Sequence, residues 1–152
     1  AIKSLGNMIG YWKNPEATKE CMNDEGWFRS GDLGKFDGPF LYILDRVKDI
    51  VIRGGENIAC PEVEGAIYEH DDILEACVFG IPDERLGEVL CAAIYLREKS
   101  TLAIDELQSF LSTRLASFKI PVNIKFYQHN LPRVGSGKFD KPSLRKQFIE
   151  NI

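Results

Sequence analysis

Apolar positions along the 152-residue chain change their period several times, and each change marks an element. Residues 40–45 (FLYILD) and 49–54 (DIVIRG) are short β-branched and aromatic runs separated by a charged Asp-Arg-Val-Lys, which predicts two strands with a polar joint. In 61–70 (PEVEGAIYEH) Pro61 suits the first position of a helix, and Val63 and Ile67 stand four apart on one face, so a short amphipathic helix is predicted. Residues 73–81 (ILEACVFGI) and 89–97 (VLCAAIYLR) are strongly apolar strand candidates. Pro82, Asp83 and Gly87 between them supply turn chemistry, so the two should pair. Ile104, Leu107, Leu111 and Leu115 then recur at helical spacing, and residues 121–128 return to a strand-like alternation. This order predicts an α+β fold: from about residue 46 onward, a small domain with a short β-hairpin and a three-stranded sheet covered by helices. Residues 1–38 carry only short apolar pieces among Gly, Asn, Lys and Glu, and do not predict a self-sufficient core.

Composition narrows the class. The chain is 44% hydrophobic and 28% charged, and no apolar run approaches the roughly 20 residues of a membrane helix, so a soluble protein without a transmembrane segment is expected. A net charge of −4 argues against nucleic acid as a partner, while leaving room for a local basic cluster that meets a phosphorylated ligand. Cys21, Cys60, Cys77 and Cys91 lie far apart with no C-x-x-C pair, and His70 and His129 stand near none of them, so no metal site is expected. Cys77 and Cys91 sit inside apolar runs, where buried free thiols and a reducing, cytoplasmic setting are the expectation. The chain does not start with methionine, which reads as a start within a longer protein.

Three polar segments could carry chemistry. In LPRVGSGKFDK (131–141), Lys138 follows two glycines and a serine, but a P-loop is excluded. Pro132 lacks the N–H that such a loop needs, and Phe139 stands where a magnesium-binding hydroxyl belongs. What remains is either a turn before a last helix begun by Pro142, or a mobile arm that delivers an ammonium. In GWFRSGDLG (26–34), Asp32 follows a Ser-Gly turn, as a cap or as an outward-pointing carboxylate. In LDRVKDIVIRGGENIACPEVE (44–64), Gly54-Gly55 makes a hairpin turn that would also let a ligand approach the backbone closely.

Taken in order, GYWKNPEAT, GWFRSGDLG, DRVKDIVIRGGENIACPEVE, VFGIPDERLGE and LPRVGSGKFDK closely resemble the C-terminal part of the acyl-CoA synthetases. These belong to the adenylate-forming superfamily, together with peptide synthetase adenylation domains and beetle luciferases. The resemblance covers essentially the whole chain. Asn57 and Ile52 are similar to the CoA-ligase form, whereas peptide synthetases carry Arg at the first position and luciferases Lys at the second.

The resemblance implies a division of labour. Residues 1–45 would be the β-rich tail of a large adenylating domain whose remainder is missing here, and 46–152 a small mobile domain, with the hinge at Asp45 and Lys48 beside it. Asp32 would bind the ribose hydroxyls of ATP, since an ionised carboxylate offers two acceptors to a vicinal diol. Arg46 would approach the nucleotide, and Gly54 and Gly55 would flank the passage of the CoA thiol. Lys138 would be the catalytic lysine, bridging the substrate carboxylate and the α-phosphate during adenylation. ATP, Mg²⁺ and CoA are implied as substrates or activator of the full-length enzyme, with none tightly bound to this piece. The implied partners are the missing N-terminal domain and a small carboxylic acid. A carrier-protein phosphopantetheine in place of CoA is the alternative acceptor, and a non-catalytic module of the same fold is the alternative class. The phosphate loop and acyl pocket of the family do not occur in residues 1–152, so activity of this chain alone is not expected.

Overall fold

Among residues 1–150, which the computed structural model describes, every buried side chain lies at or beyond Val51. The chain divides into two compact units, Ala1–Lys48 and Asp49–Ile152.

The first unit holds a short helix α1 (Pro15–Cys21) and a hairpin of β1 (Asp32–Asp37) and β2 (Phe40–Arg46). Asn14 caps α1 by accepting the Ala17 N–H, and Pro15 begins the helix where no backbone donor is needed. Neither α1 nor β1 follows from the apolar pattern, because neither buries a side chain. In the β1–β2 ladder Asp32 faces Arg46 and Leu33 faces Asp45. A bulge then places Gly34 opposite Ile43. The apolar residues of β2 are exposed: Phe40 is 65% and Ile43 61% accessible.

The second unit contains the predicted core. β3 (Val51–Arg53) and β4 (Glu56–Ile58) form a tight hairpin; helix α2 (Cys60–Tyr68) follows, then the long hairpin of β5 (Ile73–Asp83) and β6 (Gly87–Leu96). Helix α3 (Ile104–Ser112), β7 (Asn123–Tyr127) and α4 (Lys141–Ile149) complete it. The expected three-stranded sheet is β5-β6-β7, with β7 parallel to β6. The expected hairpin, β3–β4, joins the same sheet through one pair, Arg53 opposite Gly87, which makes five strands in all.

Both faces of this sheet are covered, which explains why β5 and β6 read as continuous apolar runs. Ala76, Val78, Leu90, Ala92 and Ile94 pack with residues of α2 and α3, while Cys77, Phe79, Ile81, Cys91 and Ala93 pack with Leu144 and Phe148 of α4. The outer edge of β5 is occupied by side chains. Tyr68 Oη accepts the Ala76 N–H at 2.9 Å, and Glu64 accepts the Val78 N–H at 2.8 Å. An edge so covered offers no template for another strand. No helix among the described residues is long and apolar enough to cross a membrane.

Candidate functional site

In the first unit, local turn chemistry sets Asp32. Gly31 adopts φ +77, a conformation that L side chains rarely adopt, and the Ser30 hydroxyl accepts the Asp32 N–H at 3.2 Å. The Gly31 carbonyl accepts the Val47 N–H at 2.8 Å, closing the mouth of the hairpin. Asp32 therefore starts β1 directly opposite Arg46, whose Nε lies 3.6 Å from Asp32 Oδ1. With both side chains partly exposed, this pair is worth only about 0–1 kcal/mol of stability. Its importance is positional: a carboxylate and a guanidinium are presented side by side.

Arg46 and Lys48 line a cleft of about 460 Å³ together with Arg29, Ser30 and Gly31. Three cationic side chains against the one carboxylate of Glu20 make this cleft suited to an anionic ligand. Arg29, a residue with no role expected from the motifs, stands immediately before the Ser-Gly turn. Asp45 lies within β2, where its Oδ1 accepts the Arg46 N–H at 2.7 Å. Lys48 lies in the short 3-10 turn Val47–Asp49 that follows.

In the second unit, Gly54 and Gly55 form the two-residue turn between β3 and β4, at φ +59 and +89. Two consecutive positive φ values are what a tight hairpin of the right twist demands, and glycine meets them without steric cost. The turn rests on the segment between β5 and β6. Gly54 donates its N–H to the Leu86 carbonyl at 2.8 Å, and Glu88 Oε2 accepts the Ile52 N–H at 2.9 Å. That segment is itself fixed by Asp83, whose Oδ1 accepts from the Leu86 and Arg85 amides at 2.8 and 3.0 Å. These two amides hold the Asp83 carboxyl below its usual range. The PDERLGE segment, read from sequence only as a turn, thus also supports the glycine pair.

The segment around Lys138 is not an open arm. Arg133 and Phe139 pair as an antiparallel bridge, Val134 donates to the Lys138 carbonyl at 2.9 Å, and Gly137, at φ +82, donates back to the Val134 carbonyl at 2.8 Å. Lys138 is exposed near the tip of this closed loop, and its ammonium has no ion-pair partner among the described residues. Asp140 then caps α4 by accepting the Ser143 N–H at 3.1 Å, with Pro142 in the first turn as predicted. The structure thus brings Asp32, Arg46 and Lys48 together in one unit and sets Gly54-Gly55 and Lys138 on the other.

Cys21 lines the cleft of Arg46 and Lys48, whereas Cys60, Cys77 and Cys91 are buried in the second unit. Burial pushes the Cys77 thiol up to about 12 and the Cys91 thiol up to about 11, the latter partly offset by Asn123.

Residues 62–138, just over half of the chain, match the family model described as the AMP-binding enzyme C-terminal domain. The chain belongs to that family. It is 44% identical over 142 residues to feruloyl-CoA synthase from an Amycolatopsis species, an alignment covering 93% of this chain and 28% of that protein. Among solved structures, ATP-bound MatB from Rhodopseudomonas palustris matches with a TM-score of 0.85 at 36% identity, over 92% of this chain and 28% of that one. The amide bond synthetase McbA from Marinactinospora thermotolerans matches at 0.87 and 33% identity, over 96% and 30%. The chain thus spans less than a third of the length of each.

Proposed function

We propose that this chain is the C-terminal portion of an ATP-dependent acid–thiol ligase, an acyl-CoA synthetase. Ala1–Lys48 would complete a large nucleotide-binding domain, and the second unit would be the small domain that alternates over it. The exposed apolar residues of β2 and the lack of any buried side chain before Val51 support the first part, since such a surface needs a cover.

Two half-reactions follow. A carboxylate oxygen of the acid attacks the α-phosphorus of MgATP; a P–O bond forms, the bond to pyrophosphate breaks, and acyl-AMP remains. The thiol sulfur of CoA, its proton released, then attacks the acyl carbon, and AMP leaves with the electrons of the C–O bond. Asp32 would accept from both ribose hydroxyls, with Arg46, Lys48 and Arg29 supplying positive charge to the nucleotide. Lys138 would offset the charge that builds up on the α-phosphate during the first step. Gly54 and Gly55 would line the path of the CoA thiol in the second, where their lack of side chains lets the pantetheine arm pass.

The observation that carries this reading is the spacing of the two catalytic edges. The Lys138 loop is fastened to Glu75 near one end of β5, and the Gly54-Gly55 turn is fastened at the Asp83–Gly87 end. Asp83 lies eight positions beyond Glu75 along the strand, on the order of 25 Å. One active site could not meet both edges at once, so the small domain would have to turn between the two steps. A joint at Asp45–Lys48 supports this, because charged residues stay solvated in either orientation.

The experiment is to supply the intact polypeptide with ATP, a panel of aliphatic and aryl carboxylic acids, and either CoA or a phosphopantetheinylated carrier protein. Acid-dependent release of pyrophosphate and CoA-dependent release of AMP are the expected result. Release of AMP only with the carrier would reassign the acceptor, and no acid-dependent pyrophosphate release would remove the ligase reading.

A further inference from the structure

Glu75 occupies an unusual place in β5. A bulge interrupts the β5–β6 ladder between Ile73, opposite Leu96, and Glu75, opposite Tyr95. In a regular strand Ile73 and Glu75 would point to the same face. Here Ile73 packs in the cluster of α2 and α3, while Cys77, in phase with Glu75, packs in the cluster of α4 with Leu131 and Phe139. The bulge has reversed the strand's phase so that Glu75 reaches the α4 side, which is how such irregularities re-aim a side chain.

There Glu75 is only 15% exposed, and both of its oxygens are used. Oε2 accepts the Leu131 N–H at 2.7 Å, at the entry to the Lys138 segment, and Oε1 accepts from Arg133 at 2.8 Å. The guanidinium makes two further contacts. Another of its nitrogens donates to the Gly137 carbonyl at 2.7 Å, immediately before Lys138, and its Cζ lies 4.3 Å from the centre of the Phe139 ring, immediately after. Phe139 in turn packs on the α4 cluster. One side chain therefore holds the residues on both sides of Lys138 and ties them to a mostly buried carboxylate, which in turn needs that charge as its partner.

We propose that Glu75 and Arg133 are positioning residues for the adenylation step, a brace that fixes the backbone carrying Lys138 so that its ammonium arrives already oriented. The proposal rests on the assignment of Lys138 as the adenylation lysine. Fixing the loop matters because a lysine has four rotatable side-chain bonds, and a misplacement of about 1 Å in a catalytic group can cost on the order of 10²-fold. The brace serves one half-reaction only, since the Gly54-Gly55 turn has its own footing at Asp83, Leu86 and Glu88.

The test uses the intact polypeptide carrying Arg133→Gln, Glu75→Gln, Arg133→Lys or Lys138→Ala, with acid-dependent ATP–pyrophosphate exchange and thiolysis of supplied acyl-AMP measured separately. Arg133→Gln and Glu75→Gln should each lower kcat for exchange by about 10-fold or more, with KM for ATP and thiolysis kept within about twofold. Arg133→Lys keeps a charge for Glu75 but loses the second donor and the guanidinium contact with the Phe139 ring, and should recover only part of the rate. In a Lys138→Ala background, Arg133→Gln should cost no more than about twofold further. If both Gln variants keep normal exchange while Lys138→Ala does not, the brace is overturned and the lysine assignment stands. Equal loss of exchange and thiolysis, or a full additive loss on top of Lys138→Ala, would show general structural damage and also overturn it. Normal exchange in Lys138→Ala would remove the lysine assignment itself.

Discussion

Asp32 and Arg46 face each other across the first rung of the β1–β2 hairpin, with Arg46 Nε 3.6 Å from Asp32 Oδ1. The Ser30 hydroxyl, by accepting the Asp32 N–H, fixes the backbone on the carboxylate side of that pair. If Asp32 binds the ribose, Asp32→Ala removes a charged acceptor worth about 1.5–3 kcal/mol and should lower kcat/KM for ATP by roughly 10- to 150-fold. Ser30→Ala should cost only a few-fold, and Ser30→Thr, which restores the hydroxyl, should be near normal. Steady-state kinetics of the three variants in the intact polypeptide tests this. A Ser30→Ala loss as large as that of Asp32→Ala would contradict it.

Gly55 has open space where a Cβ would stand, but its φ of +89 penalises any side chain. Gly55→Val should therefore destabilise the second unit by about 1–2 kcal/mol through backbone strain, visible as a fall in Tm. In the intact polypeptide the larger effect should be on thiolysis of acyl-AMP, with adenylation preserved. Loss confined to adenylation would place the glycine pair on the wrong half-reaction.

Asp83 couples the β5–β6 turn to acid pH. Its carboxyl, held by the Leu86 and Arg85 amides, titrates below the ordinary value of 3.8. A folded pKa below the unfolded one means that the stabilisation is complete above the ordinary value and disappears as pH falls through the depressed one. Urea unfolding of the chain should show stability dropping below about pH 4, and Asp83→Asn should be less stable at pH 7 with a flatter acid limb. An unchanged acid limb in the variant would assign that loss to other carboxylates.

The thiols should separate sharply in reactivity. Cys60, Cys77 and Cys91 are buried, and burial holds the last two at about 11–12, while Cys21 is partly accessible. A thiol reagent at pH 8 should modify Cys21 in the native chain and the other three only on unfolding. Fast native labelling of Cys77, located by peptide mapping, would contradict the packing of β5 against α4.

What the sequence made legible follows from where burial is strong. β5 and β6 are apolar on both faces, and α2, α3 and β7 carry apolar residues at a period set by the face they bury, so all five were readable. β1 and α1 bury nothing, so no hydrophobic period marks them. The positions of Asp32, Arg46, Gly54, Gly55 and Lys138 were picked out by motif. The contacts that orient them were not, because Glu75 with Arg133, Gly54 with Leu86 and Ile52 with Glu88 are non-local pairs. The bulge that turns Glu75 toward α4 leaves no mark in the alternation, since β5 is apolar on both faces.

Separate assay of the two half-reactions in Lys138→Ala of the intact polypeptide bears most directly on the assignment of one edge of the small domain to each step. The geometry predicts acid-dependent ATP–pyrophosphate exchange reduced by about 10²–10³, with thiolysis of supplied acyl-AMP close to normal. Exchange at the unmodified rate, or equal loss of both steps, would contradict it.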